Sequence, residues 1–244
     1  LGGCVNDART WAAALQRRGF VVDTLTDAAA TYRGITSALA RLVSGARAGD
    51  VVVFQYSGHG TQLPDRDGDE TDHKDEALCP VDFDGGAFIV DDDMRAILGR
   101  AAAGANVTCF IDCCHSGTIT RLLVGAPASP GSARADGADD ARPRYIVATP
   151  EMIEAHRRFR ERGDTAARAL GAAPRAAADR GLEAMREVSF AACRANEVAY
   201  EHAGQGDFTR HATPLLDAAD GTLTHDAFEK RVIRAFGARP AQHP

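Results

Sequence analysis

Apolar and polar positions follow two rhythms along the first half of the chain. Between Asn6 and Arg18, Trp11, Leu15 and the alanines recur at helical spacing, which predicts an amphipathic helix. Gly19 ends it, and the run FVVDTL at 20–25 is short and rich in β-formers, so a strand is expected there. Ile35, Leu39 and Leu42 predict a second helix over Thr31–Val43. VVVFQY at 51–56 and VTCFID at 107–112 are continuous apolar runs, as expected of strands buried on both faces. Acids and glycines crowd 62–86, which reads as a long exposed loop. Ile89 and Val90 close it, and Asp91, Asp92 and Asp93 then open a helix through Leu98, acids at the positive end of its dipole. Residues 124–143 are rich in Gly, Ala, Pro, Ser and Asp and read as a linker between a front part, 1–123, and a back part, 144–244. Behind it a strand is expected at 145–148, a basic helix at 151–162, a strand at 188–193 and a helix at 228–236. The Ala/Arg-rich stretch 165–180 fits either a helix or disorder.

Repeated strand–helix–strand units with apolar strands imply an α/β domain, a parallel sheet with helices on both faces. Ligands in such sheets bind beyond the carboxyl ends of the strands. Two motifs fall there: SGHG directly after VVVFQY, and CCHSG directly after VTCFID. A thiol attacks a carbonyl as thiolate, and a nearby imidazole can take its proton. That makes Cys114 the candidate nucleophile and His59 its base. The backbone N–H groups of Gly60 and Cys114 are candidates for an oxyanion hole. A single loop histidine is usually a surface residue, and a single strand-end cysteine usually core. Both together at neighbouring strand ends favour chemistry. By alternation Cys113 points opposite to Cys114, and Cys109 shares its face, so both are expected in the core.

Composition removes competing classes. The net charge of −6 gives no basic stripe for a nucleic-acid partner, though it suits a basic substrate. No run of 18 apolar residues is present to span a membrane, and a monomer is expected. Six cysteines in 244 residues are too sparse for a disulfide scaffold, so reduced thiols and a cytoplasmic location are expected. Leu1 is not an initiating methionine, which leaves targeting open. No CxxC knuckle offers a zinc site. A tyrosine-phosphatase loop fails on spacing, because six residues rather than five separate Cys114 from Arg121. The acids from Asp65 to Glu76 resemble an EF-hand loop, but Glu70 stands where glycine is required. That loop is either simply solvated or part of another cation site.

GCVNDA at 3–8, YSGHGTQ at 56–62, DEALCPVD at 75–82, IVDDDM at 89–94 and DCCHSG at 112–117 together resemble the metacaspases and their bacterial relatives, the orthocaspases. FAACRANEVAYE at 190–201 and FTRHATPLL extend the likeness more weakly. The resemblance implies a caspase-like fold, with a mostly parallel six-stranded sheet, and a cysteine endopeptidase cutting after Arg or Lys through His59 and Cys114. It implies an acidic S1 pocket of Asp7 and Asp112 lined by Cys4 and Ser57. Two carboxylates at adjacent strand ends suit a guanidinium. It also implies activation by calcium, held by Asp75, Asp91 and Asp92, with Asp93 a substitute. Arg121 occupies the place of a fourth ligand, where its charge opposes a cation. Self-processing is implied too, with Arg134, Arg142, Arg144, Arg162 and Arg175 as candidate sites. The alternative is a catalytically silent caspase-like domain acting in interactions or regulation.

Overall fold

A computed structural model describes residues 1–65, 73–114, 141–163, 187–194, 197–219, 223–237 and 242–244. In chain order the elements are α1 (Cys4–Arg17), α2 (Tyr32–Gly45), β1 (Val51–Ser57), β2 (His59–Pro64), β3 (Lys74–Cys79), β4 (Ile89–Val90), α3 (Asp91–Leu98) and β5 (Asn106–Asp112). They continue with β6 (Arg142–Pro143), α4 (Pro150–Glu161), β7 (Glu187–Ala191), β8 (Tyr200–His202), β9 (Gln205–Gly206), α5 (Asp207–Asp217) and α6 (His225–Phe236).

A parallel sheet in the order β1–β5–β7 forms the centre. The six strands expected for it are three among the described residues, accompanied by the antiparallel sheets β2–β3–β4 and β6–β8–β9. Strand alternation sorts β5 into two cores. Val107, Cys109, Ile111 and Cys113 pack on one side with Ile35, Leu39 and Val43 of α2 and Ile97 of α3. Phe110 and Cys114 face Trp11 of α1, Phe208 of α5 and Phe228 of α6 on the other. Trp11 stacks on Phe110 with ring centroids 4.4 Å apart. Helices therefore cover both faces, and the side chain of Cys114 comes from the α1/α5 face.

Three local expectations differ from the structure. Residues 20–25 form no strand, and Val21 is fully exposed. A groove of about 890 Å³, lined by Val21, Val22, Val51 and Val53 among others, stands beside β1 at this place. Without ladder partners even a β-rich run stays outside a sheet. The acidic loop at 62–86 contains the hairpin β2–β3, paired from His59–Cys79 to Pro64–Lys74. Leu63, Ala77 and Cys79 give it a buried face against Phe88 and Val90, and the dense acids nearby hide that alternation. Tyr145 to Ala148 make one isolated bridge, Gly60 to Tyr145, instead of a strand. The helices at 4–17, 32–45, 91–98, 150–161 and 225–236 lie where periodicity puts them. Residues 115–140, which include most of the 124–143 linker, and the stretch 165–180 lie outside the described residues.

Candidate active site

Parallel pairing of β1 with β5 runs from Val51–Asn106 to Ser57–Asp112, so both strands end level at the same edge. His59 opens β2 two residues past the end of β1, and Cys114 lies two residues past the end of β5. Between them Gly60 is in close backbone contact. A Cβ there would stand 1.9 Å from the carbonyl oxygen of Cys114 and 3.2 Å from Cys113 Sγ. Only glycine lets these two loops approach.

The Gly60 N–H donates to the carbonyl oxygen of Arg144 at 3.1 Å, and the Cys114 N–H donates to the same oxygen at 3.2 Å. Two convergent amides on one carbonyl oxygen form an oxyanion-type cradle. The chain around Arg144 is extended. Its N–H donates to Ala199 O at 2.9 Å, Arg142 pairs with Glu201 and Pro143 with Tyr200, and the Ile146 N–H donates to Gly60 O at 3.0 Å.

The Arg144 side chain, 0% exposed, enters a pocket of three carboxylates. Nη2 donates to Asp7 and lies 3.4 Å from Glu201 Oε2, while Nη1 lies 3.2 Å from Asp112 Oδ1 and donates to Asp112 O at 3.1 Å. Each acid is held from behind. Asp7 sits in the first turn of α1 on the same face as Trp11, and its Oδ1 accepts the Gly206 N–H at 3.1 Å. Asp112 Oδ2 accepts the N–H and hydroxyl of Thr209, 3.1 and 2.7 Å away, in the first turn of α5. Both carboxylates thus meet helix N-termini, which offset part of their desolvation. Trp11 Nε1 donates to the Thr209 hydroxyl and closes the network. Glu201 accepts from the backbone amides of Gly2 and Gly3.

Burial lifts Asp7 to about 6, against the opposing pull of Arg144. It also lifts Asp112, again opposed by Arg144. Burial works against the charge of Arg144, but Asp112 and Asp7 more than compensate and raise its pKa further. Gly206 leaves the room this requires, because a Cβ there would stand 2.4 Å from Asp112 Oδ2 and 2.7 Å from the guanidinium.

His59 and Cys114 are close in the fold without being hydrogen-bonded to each other. The Ala199 N–H donates to Cys114 Sγ at 2.7 Å, and the thiol donates to Ala199 O at 3.2 Å. His59 Nδ1 is buried without a hydrogen-bond partner. Burial lowers its pKa to about 4. Cys4 lies within electrostatic reach of the pocket, its thiol raised to about 11 by burial and influenced by Arg144, Glu201 and Asp7. Ser57 accepts from Gln55 at 2.7 Å and has no polar contact with Arg144.

The carboxylates expected to hold calcium are engaged otherwise. Arg95 bridges Asp91 and Asp92 at 2.8 and 2.6 Å, and Asp93 pairs with Arg160 at 2.7 Å. Asp75 is buried on β3. No group of three metal-holding side chains occurs among the described residues, and Arg121 lies outside them. Asp91, Asp92 and Asp93 are thus each paired with an arginine rather than gathered round a common point. No helix among the described residues is long and apolar enough to cross a membrane.

Sequence reasoning missed Glu201, Gly206 and Thr209. Glu201 ends the FAACRANEVAYE stretch, but an acid in a short polar segment looks the same whether it faces solvent or a pocket.

An α/β domain carrying a cysteine, a histidine and a carboxylate-lined pocket at one strand edge is of the caspase-like class. The chain belongs to the metacaspase, peptidase C14 domain family, whose model matches residues 1–123. It is 43% identical over 133 residues to metacaspase-3 of Arabidopsis thaliana, covering 50% of this chain and 37% of that protein. To metacaspase-1 of Cryptococcus neoformans it is 44% identical over 133 residues, covering 50% and 29%. The match thus spans about a third of the length of these relatives. A Geobacter sulfurreducens protein of known crystal structure is similar over 100% of this chain and 83% of its own, with a TM-score of 0.74 and 27% identity.

Proposed function

We propose that this chain is a cysteine endopeptidase that cuts after Arg or Lys. The observation that carries this reading is the buried guanidinium of Arg144 among Asp7, Asp112 and Glu201, with its own carbonyl oxygen between the N–H groups of Gly60 and Cys114. A pocket of three carboxylates selects a cation by charge-assisted bonds and rejects an acidic side chain by repulsion. In this reading Cys114 Sγ adds to the P1 carbonyl carbon, and the amides of Gly60 and Cys114 stabilise the oxyanion. His59 protonates the leaving amine, and a thioester is left for water to hydrolyse. Cys114 has to leave Ala199 for this, and the unpartnered Nδ1 of His59 is free to receive a proton.

Calcium activation is implied by family resemblance alone, since Asp91 and Asp92 are already bridged by Arg95. The test is hydrolysis of peptides ending in Arg, Lys or Asp, with calcium and with chelator. Cleavage after Arg and Lys alone supports the reading. A chelator-sensitive rate supports calcium, and an insensitive one removes it. Absence of cleavage under every condition favours the silent interaction domain, for which the thiol's contact with Ala199 in place of His59 is the supporting observation.

A further inference from the structure

Strand alternation in β8 turns Glu201 inward. Tyr200 and His202 on either side of it are half-buried, while Glu201 is 3% exposed. Two amides just before α1 fix its carboxylate: the Gly2 N–H donates to Oε1 at 2.9 Å and the Gly3 N–H to Oε2 at 3.2 Å. No side chain fits at Gly3, where a Cβ would stand 2.9 Å from Gln205 N and 3.0 Å from Glu201 Oε2. Anchored in this way, Glu201 Oε2 accepts from Arg144 Nη2 at 3.4 Å.

In the peptidase reading the Arg144 guanidinium stands in for the side chain of a P1 arginine. Its nitrogens meet the acids unequally. Nη1 lies against Asp112, while Nη2 donates to Asp7 and to Glu201, the longest of these contacts. Nε has no partner, so recognition falls on the two outermost nitrogens. A lysine carries its charge on a single nitrogen, at the place of the guanidinium carbon, one C–N bond or about 1.3 Å short of either Nη. Asp7, in the tightest contact with Arg144, stays within reach of that nitrogen. Glu201 does not, because its contact with the guanidinium is already at the limit of a hydrogen bond and the Gly2 and Gly3 amides stop it from following. A lysine therefore leaves a buried acid without its cation, which costs more than in water.

From this geometry, and resting on the peptidase reading above, we infer that Glu201 is a specificity-determining residue. It is the acid that a P1 arginine reaches and a P1 lysine does not, and it turns a pocket for cations into a pocket for arginine. Glu201 also ties Gly2 and Gly3 to β8, but that duty is the same whichever substrate is bound. The preference between the two P1 residues separates the roles.

The test is kcat/KM for two fluorogenic peptides that differ only at P1, Arg against Lys, with the wild-type chain and with Glu201→Gln. Every peptide has to displace Arg144 from the pocket, and that cost cancels in the Arg/Lys ratio. The wild-type chain should prefer Arg by at least roughly 10-fold, the worth of a weak hydrogen bond between charged groups. Glu201→Gln should lower the ratio by the same factor. A wild-type ratio near one overturns the inference without any variant, and so decides the matter even where Glu201→Gln does not fold. A ratio unchanged in Glu201→Gln leaves the residue only its hold on Gly2 and Gly3, and overturns the inference too. Either result leaves the peptidase reading standing. If neither peptide is cut, that reading falls, and the affinities of Nα-acetylargininamide and Nα-acetyllysinamide for the same two chains take the place of kcat/KM. A preference for the arginine compound that Glu201→Gln abolishes then supports Glu201 as the selector, and equal affinities overturn it.

Discussion

Replacing Asp7 by asparagine removes one negative charge from the acidic pocket while keeping the shape of the side chain. The amide oxygen of asparagine still accepts from the Gly206 N–H, which Asp7 binds at 3.1 Å, so the backbone arrangement has no reason to move. What is lost is the charge-assisted bond to a guanidinium, in a site where the Asp7 and Arg144 side chains are both 0% exposed. Removing one partner of such a pair costs about 2–5 kcal/mol, which corresponds to a loss of roughly 30-fold to several thousand-fold in rate. The assay is kcat/KM for two peptides that differ only at P1, one ending in Arg and the other in its uncharged isostere citrulline. Asp7→Asn should lose that factor on the Arg peptide and change little on citrulline. The same carboxylate sets a pH dependence. Burial raises Asp7 to about 6, so it is charged above that value and takes up a proton as the pH falls through it. Cleavage after Arg should therefore decline on acidification through about 6. His59, lowered to about 4 by burial, is still neutral there and does not produce this limb. Asp7→Asn should abolish the limb together with most of the rate. Equal losses on both peptides, or an unchanged limb in the variant, would refute the assignment of Asp7 to the pocket.

Gly60→Ala brings a methyl group to 1.9 Å from the Cys114 carbonyl oxygen, backbone against backbone, so the cradle has to open. Peptide hydrolysis should be lost, and thermal denaturation should register about 1–3 kcal/mol of overpacking. Trp11→Ala removes a buried ring stacked at 4.4 Å on Phe110 and should cost about 3–5 kcal/mol in urea unfolding. Trp11→Phe keeps the stack but frees the Thr209 hydroxyl from Trp11 Nε1, a loss of about 1 kcal/mol.

The sequence is most readable where one physical signal dominates. Continuous apolar runs mark β1 and β5, and the residues following them reach a common edge because parallel strands in register end together. Alternation alone sorts Cys109 and Cys113 to one side of β5 and Cys114 to the other. Reading fails where the signal comes from partners distant in sequence. FVVDTL has the composition of a strand but no ladder among the described residues, and the β2–β3 hairpin is masked by neighbouring acids. The pocket was half legible. Asp7 and Asp112 stand in recognisable motifs, whereas Glu201 and Gly206 reach it only by tertiary folding, 194 and 199 residues beyond Asp7. Arg144 was visible as a basic residue at the end of a linker, yet nothing local says that its side chain is buried.

The most direct test of the central claim is hydrolysis of paired fluorogenic peptides ending in Arg and in Asp by the wild-type chain and by Cys114→Ala. Cleavage after Arg, none after Asp, and none of either by the variant is the predicted result. Cleavage that survives the loss of the Cys114 thiol, or that follows Asp as readily as Arg, would contradict it.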